Sequence, residues 1–223
     1  MRKKKNKKIV KFIKLIGVLI IIALIIYILL NKKISNIYVK GNKILSDQEI
    51  IELAGLENYP KIYSISISKT ENKIKLNQVI ESVKVRKNIF GRIDIKVSEY
   101  NMLLKNEVDN TVYLSNGKNI TLEDKINGIP SLINIVSQNV LTPFLKKLDN
   151  VDKDILSKIS EIEYKPSIYD KELFLFYMND GNYVYININR LLNINKYESM
   201  LEQLEGKKGI LYLDSGNHFE VLD

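Results

Sequence analysis

The sequence predicts an α+β protein with an N-terminal transmembrane helix, then a β-α-α-β-β domain, then a mostly antiparallel β-domain with flanking helices. Three features carry this prediction: an uncharged apolar run over residues 15–30, a capping motif and a hairpin pattern before residue 100, and frequent turn signals after it. With 223 residues, the chain is long enough for two cores. We expect a basic cytoplasmic tail over 1–11, the transmembrane helix over 12–30, the first domain over 34–100 and the second over 101–223.

The anchor prediction rests on the length of the apolar run and on the residues at its C-terminal end. Residues 12–30 carry one cation, Lys14, and as a helix would extend roughly 28 Å at about 1.5 Å per residue, which spans the hydrocarbon layer. A cleaved signal peptide shares the basic start, but its apolar run has about 7–15 residues and ends in a small-x-small pattern. This run ends in Asn31-Lys32-Lys33 instead, so we expect an uncleaved anchor.

The positive charge is concentrated at the N-terminus. The chain has 34 Lys and Arg against 26 Asp and Glu, and eight of these cations lie in residues 1–14, which contain no acid. The rest is therefore neutral, which argues against a nucleic-acid-binding domain because phosphate binding needs a basic face on the folded part. Cations beside a span stay cytoplasmic. The residues predicted to set this orientation are Lys3, Lys4, Lys5, Lys7, Lys8, Lys11 and Lys14.

The first domain is predicted to begin with a strand and two helices. Ile37 and Val39 alternate with polar residues, which indicates a half-buried strand. Ser46 and Glu49 have the spacing of a capping box, in which each side chain bonds the other residue's backbone amide. A second such box over 68–71 predicts another helix that ends at about residue 77.

A β-hairpin is predicted to complete this domain. From Val79 to Lys87 and from Arg92 to Glu99, β-branched residues alternate with charged ones. The segment Asn88-Ile89-Phe90-Gly91 joins the two runs as a turn. These patterns alone predict the order β-α-α-β-β.

Turn signals divide the second domain into short strands, at Asp109-Asn110, Asn116-Gly117, Asn127-Gly128 and Asp180-Gly181. The clearest hairpin joins Leu173–Met178 to Tyr183–Ile188. Two last strands are expected on either side of Ser215-Gly216-Asn217. Two helices are predicted from apolar spacing, one starting near Asp152 with Ile155, Ile159 and Ile162 inward, and one carrying Tyr197, Met200, Leu201 and Leu204.

Motifs for catalysis or metal binding are weak. The chain has no cysteine, and its one histidine, His218, has no second ligand at metal-binding spacing. Ser66-Ile67-Ser68-Lys69, Ser137-Gln138-Asn139 and Lys207-Lys208-Gly209 share the order of the three boxes of penicillin-binding enzymes, but about two Ser-x-x-Lys matches are expected by chance. We therefore expect that the protein is not an enzyme and that it binds no cofactor and no metal. A membrane-anchored serine acyl-enzyme or peptidase acting on the cell wall is the alternative.

Several short motifs share their order with a known family. They are Ile37-Tyr38-Val39-Lys40-Gly41-Asn42, Leu45-Ser46, Ile80–Arg86 and Ile93–Glu99 in the first domain, and Gly117, Ile129-Pro130-Ser131-Leu132, Asp180-Gly181 and Lys196 in the second. Behind an anchor, this order resembles the bitopic cell-division proteins FtsQ and DivIB, which have a POTRA domain followed by a β-domain. The chain departs from that family where Ile89-Phe90 replaces the usual proline of the second POTRA hairpin, and where Tyr212-Leu213-Asp214 replaces a late Asp-Leu-Arg pattern.

The resemblance implies a non-enzymatic divisome scaffold that helps couple septum assembly to septal peptidoglycan synthesis. Its N-terminus would be cytoplasmic and its two domains extracellular, at the division septum. It implies FtsL-like and DivIC- or FtsB-like bitopic coiled-coil proteins as partners, septal peptidoglycan synthases as further ones, and no small-molecule substrate. A POTRA-bearing adaptor for another envelope complex is a second alternative.

By position, the last two strands are the candidates for partner binding. An exposed sheet edge accepts a partner strand through backbone hydrogen bonds. The competing interpretation is that Leu211, Leu213, Phe219 and Val221 only fill the core, with Tyr212 facing outward. The predicted partner-binding residues are Ile210, Leu211, Tyr212, Leu213, Phe219, Glu220 and Val221.

Overall fold

A computed structural model describes the backbone of residues 2–121, 128–204 and 206–222, with side chains from Ile9 onward. The chain divides into two compact units, Met1–Glu99 and Tyr100–Asp223. The first contains a three-stranded sheet and the second a nine-stranded sheet, and each unit has its own apolar core. The predicted α+β class is therefore confirmed.

The first element is a long apolar helix, α1 (Arg2–Asn31). Within it, Ile9–Asn31 has 23 residues, a mean hydropathy of 3.1 and no buried portion. Such a surface is stable in hydrocarbon and costly in water, so the helix fits a single membrane span. Lys11 and Lys14 lie on this helix, whereas the side chains of Lys3, Lys4, Lys5, Lys7 and Lys8 lie outside the described residues. The predicted orientation stays a prediction.

The rest of the first unit has the predicted β-α-α-β-β order. Its elements are β1 (Asn36–Lys40), α2 (Asp47–Ala54), a 3-10 helix (Ile62–Ser64), α3 (Ile67–Lys75), β2 (Ile80–Lys87) and β3 (Arg92–Glu99). Strand β3 lies in the middle of the sheet, parallel to β1 and antiparallel to β2. The apolar faces of α2 and α3 pack on one face of this sheet, and the most buried core residues include Ile50, Ile74, Ile93 and Ile95.

The predicted capping box at the start of α2 is confirmed. The Glu49 amide donates to the Ser46 hydroxyl over 3.2 Å, and the Ser46 amide donates to the Glu49 carboxylate over 2.7 Å. These two bonds satisfy amides that have no partner inside the helix. Gly55 then ends α2 in the left-handed conformation, with φ of 69°.

The second predicted capping box is wrong. Helix α3 begins at Ile67, so Ser68 lies within its first turn, and it ends at Lys75. The Glu71 carboxylate accepts the Val85 amide of β2 over 2.8 Å rather than the amide of the expected cap. A contact with a neighbouring strand has thus replaced the local motif, which sequence spacing alone does not reveal.

Nine short strands form the sheet of the second unit: β4 (Met102–Asn106), β5 (Thr111–Leu114), β6 (Asn119–Ile120), β7 (Ser131–Leu132), β8 (Ile159–Tyr164), β9 (Leu173–Met178), β10 (Tyr183–Asn187), β11 (Gly209–Tyr212) and β12 (His218–Val221). Their order is β12-β11-β10-β9-β8-β7-β4-β5-β6. Five of the eight pairings are antiparallel and three are parallel. Of the predicted turns, Asn127 lies outside the described residues.

The helices of this unit differ from the sequence prediction. The helix expected from Asp152 is only α5 (Lys153–Leu156), and Ile159 and Ile162 belong to β8. The side chains of Ile155, Ile159 and Ile162 are all buried, as predicted. The i, i+3 spacing of the last two also fits a strand with a bulge, and β8 has one between Ile159 and Glu161. The late helix is α6 (Tyr197–Leu201), extended on both sides by 3-10 segments, Ile188–Lys196 and Glu202–Leu204.

Helix α4 (Gln138–Leu148) has no counterpart in the sequence prediction. It contains Pro143, which usually ends a helix, yet Phe144 stacks on Phe174 of β9 at 4.0 Å between ring centroids. The helices cover one face of the sheet. Alternate residues of β9 to β11 join their core, among them Phe174, Phe176, Val184, Ile186 and Leu211.

A candidate partner-binding edge on the second unit

The predicted partner-binding residues lie on the two strands at one end of the sheet. Ile210–Tyr212 belong to β11, Leu213 comes directly after it, and Phe219–Val221 belong to β12. The two strands pair antiparallel, with Leu211 opposite Phe219 and Tyr212 opposite His218. Only β12 is the end strand, because β11 also pairs in parallel with β10. Among the described residues, no strand pairs with the outer side of β12.

Backbone geometry sets which amides of β12 point outward. The Leu222 amide donates to the Lys208 carbonyl over 3.0 Å, which makes this a hydrogen-bonded pair. Because such pairs alternate along an antiparallel ladder, Glu220 is bonded to Ile210 in the same way, while Phe219 and Val221 direct their amides and carbonyls away from β11. The outer edge therefore offers two N–H donors and two carbonyl acceptors to an added strand.

The same ladder sets the backbone orientation of Tyr212. Its side chain is partly exposed, as predicted, but its amide faces β12 in a bonded pair with His218. Leu211 and Leu213 are buried in the core, whereas Val221 is 48% exposed. The core-filling interpretation thus fits the two leucines, and β12 carries the residues that remain accessible.

Partly exposed tyrosines line the sheet face opposite the helices. The Tyr185 ring stacks on the Tyr212 ring at 5.3 Å between centroids. The Tyr212 ring lies 5.7 Å from the His218 ring, tilted against it. Tyr177 meets Tyr183 edge-on at 5.4 Å. Cross-strand pairing puts these five rings on one face, which we call the tyrosine face. Amphipathic rings of this kind are enriched in protein interfaces.

Two carboxylates hold phenols of this face. Tyr177 donates to Glu163 over 2.7 Å, and this bond, helped by desolvation, raises the pKa of Tyr177 to about 12. Tyr212 donates to Glu220 over 3.0 Å, which raises the pKa of Tyr212 as well. Both rings therefore stay neutral at physiological pH. Of the two acids, Glu163 is also paired with the Lys165 ammonium over 3.3 Å.

A buried polar network fixes the start of β11. The Asn182 side chain, 1% exposed, accepts the Gly209 amide over 2.9 Å and donates to the Tyr197 hydroxyl over 3.1 Å. That hydroxyl in turn donates to Asp180 over 2.9 Å, and burial raises the pKa of Tyr197. The network ties the β9–β10 turn and α6 to β11, the strand on which the edge strand β12 pairs, so it helps to hold both in place.

Strand β6 lies at the other end of the described sheet. The Leu114 amide bonds the Lys118 carbonyl over 2.8 Å, and the alternation then directs the Asn119 amide outward. This strand has two residues against four in β12. It provides a matched comparison for any test of strand addition.

The three boxes of the enzyme alternative are divided between the two units. Ser66 precedes α3 in the first unit, whereas Ser137 precedes α4 and Lys207 precedes β11 in the second. In the part of the chain that the structure describes, no three His, Asp or Glu side chains are grouped to hold a metal ion. The His218 ring lies tilted against Tyr212 as part of the tyrosine face.

The sequence prediction missed most of the tyrosine face. Tyr183 and Tyr185 are two residues apart on β10 and so share a face, which is a readable signal. The contact of Tyr185 with Tyr212 was not readable, because β10 and β11 pair in parallel across a helical connection. Only the fold brings them together.

Comparison with known proteins gives this architecture a class. Residues 32–100 match the POTRA domain of the FtsQ type. The chain thus combines a POTRA domain of the FtsQ type with a second, mostly β unit, and the residues that the structure describes contain one candidate membrane span. It is 30% identical to the cell division protein DivIB of Bacillus subtilis over 98% of this chain and 85% of that one, and 30% identical to DivIB of Listeria monocytogenes over 99% and 85%.

The chain belongs to the DivIB family of cell division proteins. The predicted family is therefore confirmed, and with it a role in cell division and an N-terminal helix consistent with a single-pass membrane anchor. A solved structure of the major extracytoplasmic domain of DivIB from Geobacillus stearothermophilus is 23% identical, with a TM-score of 0.41, and the match covers 48% of this chain and 96% of that one.

Proposed function

We propose that this protein is a non-enzymatic scaffold of the division machinery that works by binding other bitopic division proteins outside the membrane. Its N-terminus lies in the cytoplasm, held there by the basic tail, and both folded units lie outside at the septum. FtsL-like and DivIC- or FtsB-like proteins are the partners, with septal peptidoglycan synthases as further ones. The scaffold helps couple septum assembly to septal peptidoglycan synthesis.

The observation that carries this proposal is the outer side of β12, with which no strand pairs among the described residues. Phe219 and Val221 direct backbone donors and acceptors outward, and unpaired edges of this kind are what β-strand addition uses. The strand is short, with four residues. An incoming strand therefore makes few backbone bonds, and side chains must supply the rest of the specificity.

The tyrosine face supplies side-chain contacts next to that edge. The rings of Tyr212 and His218 meet at a tilt at the β11–β12 end of the face, within one strand of the edge. The Glu220 carboxylate beside them suits a basic side chain of the partner. Partner binding is thus proposed to combine backbone pairing along β12 with packing on neutral aromatic rings.

A proline at Val221 tests the edge directly. It removes an outward amide without breaking a bond to β11, and its ring stands where the partner strand would approach. We expect full-length Val221→Pro in detergent to bind the extracellular segment of an FtsL-like or DivIC-like partner at least about tenfold more weakly, with an unchanged melting temperature. Isothermal titration measures the affinity.

Asn119→Pro is the matched control, since it removes the outward amide of β6 at the opposite edge. It should bind the partner as the unsubstituted chain does. Normal affinity in Val221→Pro contradicts the proposal, and loss of affinity in Asn119→Pro alone would place the partner on the opposite edge.

A further inference from the structure

An apolar cluster marks the end of the first unit that lies next to the membrane span. Ile89 and Phe90 occupy the turn between β2 and β3 and are 58% and 71% exposed, and Tyr63 of the 3-10 helix is 73% exposed. Turn positions of this kind are usually polar, and grouped exposed apolar side chains mark a contact with something apolar. We call Tyr63, Ile89 and Phe90 the interfacial patch.

Backbone bonds hold this patch close to the end of α1. The Ile62 amide donates to the Lys32 carbonyl over 2.8 Å, and the Ser35 amide donates to the Gly91 carbonyl over 2.8 Å. The Lys61 ammonium also bonds the Asn31 side chain over 2.7 Å. Both segments of the patch are therefore fixed within four residues of the last residue of the span.

Two residues of the patch, Tyr63 and Ile89, lie beside the last apolar turn of the span. Leu29 and Leu30, the final apolar residues of α1, line one pocket together with Tyr63 and Ile89. If these leucines lie at the hydrocarbon boundary, so do the side chains beside them. Aromatic residues are enriched at that boundary because their rings are amphipathic.

The charge around the patch has one sign. Residues 31–46, 59–70 and 82–93, the three segments that meet here, contain lysine and arginine but no aspartate or glutamate. Lys32, Lys33 and Lys61 are exposed beside the end of the span. A basic rim around apolar side chains complements a bilayer surface with anionic phosphates.

We propose that the interfacial patch inserts into the outer headgroup region of the same bilayer that α1 crosses, with Lys32, Lys33 and Lys61 against anionic lipid phosphates. This rests on the proposed function for the anchor and for the side of the membrane. The POTRA domain is then held to the membrane at two places, the span and the hairpin turn, which restricts its tilt.

The test uses tryptophan fluorescence, because the chain has no tryptophan of its own. Full-length Phe90→Trp is reconstituted into vesicles of bromine-labelled phosphatidylcholine, which quenches only tryptophans that touch the lipid. Leu76→Trp is the matched control. Leu76 is 86% exposed, against 71% for Phe90, and lies at the far end of the domain, where the eight-residue β2 places it about 20 Å away or more. Tyr27→Trp reports on the span itself.

We expect Phe90→Trp to be quenched more than about twofold over Leu76→Trp, and the quenching to increase when phosphatidylglycerol is added. Quenching at position 27 but not at position 90 overturns the patch and leaves the anchor, and so the proposed function, intact. Quenching at neither position overturns the patch together with the anchor. If quenching at position 90 does not change when phosphatidylglycerol is added, the proposed binding of the lysines to anionic lipid phosphates is overturned.

Discussion

Gly209 is the residue on which the pairing of β11 with β12 depends most closely. A Cβ atom here would overlap the Glu220 carbonyl oxygen and lie 2.8 Å from the Phe219 ring, while the Gly209 amide is held by Asn182. The strands can approach only because this position has no side chain. A strand was predicted here from the sequence, but this contact has no sequence signal, since it joins backbones of two different strands.

Gly209→Ala is therefore expected to push β12 away from β11. We predict a loss of about 1–3 kcal/mol in the free energy of unfolding, typical of an overpacked site, together with weaker partner binding. Urea denaturation measures the first quantity. Gly216→Ala, in the turn between the same strands, is the control, because its Cβ would meet no atom within 4 Å. Equal stability of both variants would show that the close approach does not matter.

At the scale of elements, the start of α2 makes stability depend on pH. The Ser46 amide and hydroxyl both donate to the Glu49 carboxylate and lower the pKa of Glu49. A carboxyl whose pKa is lower in the folded than in the unfolded chain adds stability above its unfolded pKa, and this is lost as the pH falls through the folded pKa.

Glu49→Gln should thus cost about 0.5–1 kcal/mol at neutral pH, and the difference from the unsubstituted chain should shrink as acid protonates Glu49. Chemical denaturation across an acid pH series measures it. Glu52→Gln, on the same helix, controls for the loss of one negative charge. A difference that stays constant down to a pH at which both states are protonated would show that the carboxylate charge has no role.

The elements that could be predicted are those with strong local signals. The box at Ser46, the turn at Asn88 to Gly91 and the hairpin around Asp180-Gly181 each combine turn or cap residues with a clear period, and all three occur. Helix α4 was missed because Pro143 is a local stop signal, overridden by the burial of Phe144 against β9. The helix predicted from Asp152 was too long, because buried isoleucines at this spacing fit either a helix or a strand with a bulge.

At the scale of the whole molecule, the order of parts could be predicted and the site only in outline. The anchor, the capped start of α2 and the hairpins indicated the family before any contact was known. The last strands were also predicted, but which of them lies at the edge depends on β10 pairing with β11, across the 3-10 and α-helical segments between them. Non-local pairing of this kind leaves no periodic trace in the sequence.

The central claim is that a partner strand adds to the outer side of β12. The most direct test is residue-resolved hydrogen exchange of the full-length protein in detergent, with and without the extracellular segment of an FtsL-like or DivIC-like partner. We predict that the amides of Phe219 and Val221 become protected while the Asn119 amide does not change. Unchanged exchange at Phe219 and Val221 in a saturated complex would contradict this claim.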